Sequence, residues 1–273
     1  MRSAPGIGAR VWEYLNRRGG RSADRNIEGG AFALPQKSRT FRTTLAVTLV
    51  IFASKALGFL RDVISAGYFA TGMERDAYSS AYTLFYVPVL LFNSCITSTI
   101  VPLYIEAKNK SGIRAANHFA SNCLNLFAAF ALGAGVLMML AAGPLVKLVF
   151  GGFAGVPGKL DLTADLLRVM LPSLLFVVGS IVLTSILNAN EHYLAAQLTG
   201  FPLSVSLIVA TVAFAPRYGI RATAWGVFAA GILQMLILLP SASSCLRYSP
   251  RMRLGDKRFR RMMILAVPAI LSM

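Results

Sequence analysis

Four polar residues interrupt the first long apolar stretch of the sequence: Ser54, Lys55, Arg61 and Asp62. A charged side chain at the centre of a bilayer costs roughly 2.5–3.5 kcal/mol, whereas a flanking leucine or valine returns only about 0.3–0.6 kcal/mol. Charges in such a stretch must therefore be paired or face a water-filled cavity. Because the lysine and the arginine could offset the charge of an anionic ligand, we interpret the four residues as the wall of a ligand-binding cavity.

Other arrangements of these charges stay open. Lys55 and Asp62 lie seven residues apart, which places them two turns apart on one helix face. The charges could instead form an ion pair that holds helices together, or snorkel from a helix end. Asp76 follows Glu74 and Arg75 where the second apolar stretch begins. It could simply cap or stabilise a helix start.

A second group of polar residues could also line a cavity: Asn93, Ser94, Thr97, Ser98, Thr99 and Gln234. Serine and threonine in a membrane helix more often donate to carbonyls of their own helix, so the role of this group is open as well.

The composition favours an all-α integral membrane protein as the scaffold for these residues. Hydrophobic residues make up 56% of the chain and charged residues only 14%, against roughly a quarter charged in soluble domains. A membrane helix needs about 20 apolar residues, which predicts six spans and the start of a seventh. We place the six at about 40–70, 77–105, 116–149, 162–187, 193–214 and 222–239.

These spans predict a domain organisation. We expect a basic, disordered cytoplasmic tail at 1–39, a six-helix transmembrane lobe at 40–245, a basic cytoplasmic loop at 246–261 and a truncated seventh helix at 262–273. A half-span leaves backbone groups unpaired in hydrocarbon. We therefore expect the chain to be the N-terminal part of a longer protein.

The loop charges predict the orientation of the chain. Lysines and arginines of the tail, of the loop between spans two and three and of the loop at 246–261 outnumber those of the opposite loops by roughly four to one. This bias places the N-terminus in the cytoplasm. It also accounts for the formal net charge of +16 without nucleic-acid binding.

Motifs for enzymatic chemistry are missing from the sequence. It contains no GxxxxGK[ST], HExxH or GxSxG motif. Its three cysteines have no CxxC spacing and no neighbouring histidine, which disfavours a zinc site. We therefore expect no enzyme activity, no cofactor and no metal.

Several motifs resemble the MurJ/MviN family of lipid II flippases in the MOP exporter superfamily. The segment SKALGFLRD at 54–62, followed by GYFATGMERDAY at 67–78, is similar to the family pattern S-R-x-x-G-x-x-R-D and F-G-x-G-x-x-x-D-A-F. Collinear matches follow: IVPLYIEAK at 100–108, GGFAG at 151–155, ILN at 186–188, AWGVFAAGILQ at 224–234 and VPAIL at 267–271.

This resemblance implies the N-terminal lobe of a two-lobed, fourteen-helix transporter. A central cationic cavity would bind the head of lipid II, a peptidoglycan precursor, and move it outward by alternating access. The family's cavity residues correspond to Ser54, Lys55, Arg61 and Asp62, and its outer-gate acid to Asp76. Two features depart from the family: Lys55 stands for an arginine, and the segment 87–95 has no charge.

The expected function is therefore translocation of lipid II across the bacterial cytoplasmic membrane, with a lipid-linked substrate, membrane lipids and the missing C-terminal lobe as partners. Alternatives are a flippase for another polyprenyl-pyrophosphate-linked glycan and an inactive fragment or scaffold.

Overall fold

The apolar stretches fold as helices. The computed structural model describes residues 36–70, 72–246 and 248, and no strand occurs in that part of the chain. Two compact units are distinguished, Met1–Thr44 and Leu45–Met273. In the first unit, residues 36–44 are helical. The cavities and contacts below belong to the second.

The helices follow one another with short connections. They are α1 (Gln36–Phe69), α2 (Met73–Leu140), α3 (Ala142–Val149), α4 (Lys159–Met170), α5 (Ser173–Ala189), α6 (Tyr193–Gln197), α7 (Gly200–Val209), α8 (Ala215–Tyr218) and α9 (Arg221–Cys245). A 3₁₀ turn (Gly151–Gly155) precedes α4, and a π-helical segment (Ala210–Phe214) joins α7 to α8.

The longest helix is two helices joined at one glycine. An uninterrupted helix as long as α2, with 68 residues, would extend about 100 Å, more than three times the thickness of a bilayer core. Gly112 divides it with φ 81° and ψ 172°, a conformation that is essentially restricted to glycine. The expected loop between the second and third spans is therefore reduced to this turn.

Proline marks another break. The fourth predicted span is a pair of helices, α4 and α5, bent by 46°. Pro172 lies at the bend, where it lacks the N–H that a continuous helix would need. By contrast, Pro88 and Pro102 lie inside α2 and do not end it.

The described residues contain four helices that are long and apolar enough to cross a membrane, or five if α4 and α5 form one span. The break at Gly112 divides the longest of these helices, α2, into two helices. The predicted tail lies outside the described residues as far as residue 35, and α1 begins at Gln36. The seventh helix at 262–273 and nearly all of the loop at 246–261 also lie outside them, so these domain limits stay predictions.

Helix packing brings every second connection between helices to the same end of the bundle. At one end, Lys159 at the start of α4 pairs with Asp76 at the start of α2, and Gly219 lies close to Glu74. The opposite end joins Lys108 of α2 to Asn190, which follows α5. The core between the two ends is made by α2, α5 and α9, with fully buried side chains such as Phe119, Leu174 and Ile186.

Candidate functional site

One face of α1 carries the polar residues that reach the interior of the lobe. Ser54, Gly58 and Arg61 recur at helical spacing, so they lie along one side of α1. Gly58 and Ser54 face α7: a methyl group on Gly58 would lie 3.8 Å from Ser204 Oγ, and one on Gly200 would overlap Ser54 Oγ. Ser54 therefore supports a close approach of two helices.

Arg61 is paired with its neighbour Asp62. Nε and Nη2 of Arg61 lie 2.9 and 2.8 Å from the same oxygen, Oδ1 of Asp62. The arginine side chain is 23% exposed and the aspartate side chain 62%. A guanidinium has five N–H donors. The single oxygen of Asp62 therefore leaves part of the arginine free to bind an anion.

Lys55 and Asp62, which share a helix face, do not form an ion pair with each other. Lys55 is exposed, makes no ion pair within the described residues, and lines neither of the two interior cavities described below. It lies six residues before Arg61, which turns it about 120° away around the helix. The structure thus separates the two cations of the predicted site.

Arg61 and Asp62 line a cavity of about 180 Å³, called here the arginine cavity. Its wall is polar on several helices: Ser65 of α1, Arg75, Tyr78, Ser79 and Tyr82 of α2, Thr211 of the π-helical segment, and Thr223 of α9. Nη1 of Arg75 is buried without a hydrogen-bond partner. An unpaired buried donor of this kind is costly, so an acceptor that reached Nη1 would be bound favourably.

A second cavity of about 270 Å³, called here the amide cavity, lies next along α2. Asn93 and Gln234 line it together with Gly200, the glycine that contacts Ser54. Within the described chain, Tyr82 alone borders both cavities. Its ring stacks between those of Tyr78 and Tyr86, at centroid distances of 6.2 and 5.9 Å.

The polar residues of α2 divide into two groups. Thr97, Ser98 and Thr99 donate to carbonyl oxygens one turn earlier, those of Asn93, Ser94 and Cys95. Their hydroxyl groups are thus used within the helix. Asn93 and Gln234, whose roles the sequence left open, are the members that line a cavity.

Asp76 forms an ion pair with Lys159, a residue between the third and fourth predicted spans. Lys159 Nζ lies 3.1 Å from Asp76 Oδ2 and 3.8 Å from the centroid of the Phe153 ring. The lysine side chain is only 9% exposed. Gly72 is the N-cap of α2, so Asp76 instead belongs to its first turn and joins α2 to α4.

Three residues of the arginine cavity were not singled out from the sequence: Arg75, Tyr78 and Tyr82. The spacing of tyrosines at 78, 82 and 86 was an available signal, because residues four apart share a helix face. Arg75 could not be separated from an ordinary loop cation. Its burial depends on helices that are distant in sequence.

The chain is similar to transporters of one family. A family model described as "Lipid II flippase MurJ" matches residues 65–273. The "Probable lipid II flippase MurJ" of Buchnera aphidicola subsp. Acyrthosiphon pisum is 28% identical over 202 residues, which cover 72% of this chain and 39% of that protein. The chain thus spans about two fifths of that relative's length.

Solved structures show the same fold. A structure described as "Lipid II flippase MurJ, inward closed conformation" is 25% identical, with a TM-score of 0.69, and the match covers 84% of this chain and 47% of that one. An outward-facing multidrug resistance MATE transporter of the MOP superfamily has a TM-score of 0.67 at 14% identity, covering 84% and 52%. The second match shows the fold alone.

Proposed function

Because the chain belongs to the lipid II flippase MurJ family, we propose that it forms the N-terminal lobe of a flippase that moves a lipid-linked peptidoglycan precursor across the bacterial cytoplasmic membrane. The observation that carries the proposal is the arginine cavity. Two guanidinium groups line it together with hydroxyl groups from α1, α2, the π-helical segment and α9. Such a wall suits a diphosphate better than an apolar or cationic cargo.

Arg61 is the residue that we expect to bind the substrate. Asp62 orients the guanidinium, and its single engaged oxygen leaves donors for a phosphate. The lipid tail would stay in the bilayer while the charged head crosses through the cavity. An inside-negative membrane potential would favour outward movement of the anion by about 2.3 kcal/mol per charge per 100 mV.

Ser54, Lys55 and Asp76 complete the proposed site in different ways. Ser54 supports the contact of α1 with α7 beside the amide cavity. Lys55, which is exposed on another face of α1, would meet the substrate from the side on which a second lobe would lie. Asp76 would act as a gate through its pair with Lys159.

We also propose that the N-terminus is cytoplasmic. The end of the bundle that contains Asp76 and Lys159 would then face outward, and the end that contains Lys108 and Asn190 would face inward. The excess of lysine and arginine in the loops of the inward end supports this orientation.

Arg61→Ala in the full-length gene tests the proposal. We expect this variant to insert normally but to lose the ability to sustain growth when it is the cell's only flippase. Loss of the guanidinium removes the charge that offsets the diphosphate. The measurement is rescue of a flippase-depleted strain, with protein level in the membrane checked by immunoblot.

Lys147→Ala is the matched control, because Lys147 is an exposed cation of α3 that lines neither interior cavity. It should rescue growth fully. Full rescue by Arg61→Ala would contradict the proposed site. Transport of a different polyprenyl-linked glycan by the purified protein, with none of lipid II, would instead favour the alternative cargo.

A further inference from the structure

A groove of about 910 Å³ lies on the surface formed by α7, the π-helical segment, α8 and α9. This feature, called here the outer groove, is separate from the two interior cavities. Its sides are apolar and exposed, with Val209, Phe214, Trp225 and Leu233 each at least 40% accessible. Gly226 lets α9 approach Ala210 closely, since a methyl group on Gly226 would lie 2.8 Å from Ala210 Cβ.

Two arginines lie at one end of the outer groove. Arg217 forms no ion pair within the described residues, and Arg221 lies 3.9 Å from Asp165 at the outer limit of an ion pair. Asp165 already forms an ion pair with Arg168, at a distance of 3.0 Å. Within the described residues, no carboxylate therefore lies within ion-pair distance of Arg217, and the one near Arg221 is shared with Arg168.

The dimensions of the outer groove match one leaflet of a bilayer. Arg221 and Leu233, at its two ends on α9, are twelve residues apart, about 18 Å along a helix. Half of a hydrocarbon core is about 15 Å thick. The groove is thus long enough for one acyl chain of a glycerophospholipid and too short for an extended polyprenyl chain.

We propose that the outer groove binds one anionic glycerophospholipid, with its phosphate at Arg217 and Arg221 and an acyl chain along Val209 and Leu233. This site is distinct from the proposed substrate cavity. It depends on insertion of the chain in a membrane and not on the transported cargo, so failure of either proposal leaves the other standing.

Charge favours a lipid over a protein segment as the occupant of the outer groove. An apolar helix packed over the groove would bury Arg217, which has no ion pair within the described residues, and Arg221, which has only the 3.9 Å contact with Asp165, and this is unfavourable within a membrane. A lipid phosphate supplies the missing negative charge while its chain covers the apolar sides. Each arginine near an anionic headgroup strengthens binding about fivefold.

Trp225 provides a direct test, because it lines the outer groove and the chain contains only one other tryptophan, Trp12. The experiment uses the full-length protein in vesicles, with Trp225 as its single tryptophan after replacement of the others by phenylalanine. Quenching of Trp225 fluorescence is compared between brominated phosphatidylglycerol and brominated phosphatidylcholine at equal mole fraction. We expect phosphatidylglycerol to be preferred by at least about fivefold.

The preference should fall to about one in the double variant R217Q and R221Q. It should be unchanged in Lys147→Gln, which removes an exposed cation from α3. Ala229→Phe, which fills the groove and keeps both arginines, should reduce quenching by both lipids. Equal quenching by the two lipids in the parent protein, absence of quenching, or a preference that persists in the double variant would overturn the proposal.

Discussion

At the scale of single residues, the contact between Ser54 and Gly200 sets how closely α1 approaches α7. Gly200 is the first residue of α7, and any side chain there would overlap Ser54 Oγ. Gly200 is also part of the wall of the amide cavity. A change in the volume of either residue would therefore alter both the helix contact and the cavity.

Gly200→Ala is expected to destabilise the protein by about 1–3 kcal/mol, because the added methyl group forces Ser54 and its helix to move. Addition of Ser54→Ala should recover part of this loss. It removes the oxygen but leaves Ser54 Cβ at 3.2 Å from the new methyl group. The measurement is a double-mutant cycle of unfolding in detergent.

Gly67→Ala is the control for this cycle, since nothing lies within 4 Å of the site on α1 where its methyl group would be. It should be neutral or stabilising by up to about 1 kcal/mol, the ordinary advantage of alanine over glycine in a helix. Equal destabilisation by the two glycine variants would contradict the specific contact.

The sequence placed four polar residues in the apolar stretch that forms α1, but it did not predict how they pair. Helical periodicity put Lys55 and Asp62 on one face, yet Asp62 binds the adjacent Arg61. Neighbouring residues do not share a helix face. The long side chain of Arg61 bends to reach the carboxylate of the next residue. That conformation depends on the surrounding helices, which periodicity does not describe.

At the scale of elements, the pair of Asp76 and Lys159 joins the start of α2 to the start of α4. Lys159 is nearly buried between the carboxylate and the ring of Phe153. The resemblance to a family implied a gate role for Asp76, but not its partner, which is more than eighty residues away. A contact of that separation is decided by tertiary packing.

Asp76→Asn should destabilise the protein by about 1–3 kcal/mol, because it leaves the buried ammonium group of Lys159 without its carboxylate. Replacing Lys159 by methionine in the same protein should restore much of the loss, since the uncompensated charge is then removed. Thermal unfolding of the purified variants gives both values.

The comparison variant is Lys110→Met, which breaks the exposed pair of Lys110 and Glu106. Its effect should stay within about 1 kcal/mol, as is usual for exposed ion pairs. If Asp76→Asn were as mild as this control, the pair would not stabilise the contact of α2 with α4.

The positions of the helices were more predictable than the connections between them. Runs of apolar residues identify a span whatever its neighbours, so α1 lies close to its predicted range and α9 begins where predicted, although α9 continues past residue 239 to Cys245. The turn at Gly112 lies in a polar stretch whose sequence is typical of a loop. Whether such a stretch is a loop or continued helix depends on packing against α5, which local sequence does not encode.

At the scale of the whole molecule, the alternation of helix ends makes the orientation testable. Lys110 lies near the predicted inner end and Gly155 in the predicted outer connection. In a Cys245→Ser background, with Cys95 and Cys123 buried, single cysteines at these positions should react from opposite sides. An impermeant thiol reagent added to intact cells should label Gly155→Cys but spare Lys110→Cys.

Labelling in the reverse order would place the N-terminus outside and contradict the orientation inferred from charge. Labelling of both positions would contradict the number of spans between them.

Tyr82 lies between the arginine cavity and the amide cavity. Its ring borders both cavities, of about 180 and 270 Å³, and its stacking partners on both sides belong to the same helix. We therefore expect a change in the orientation of this one side chain to alter both cavities at once.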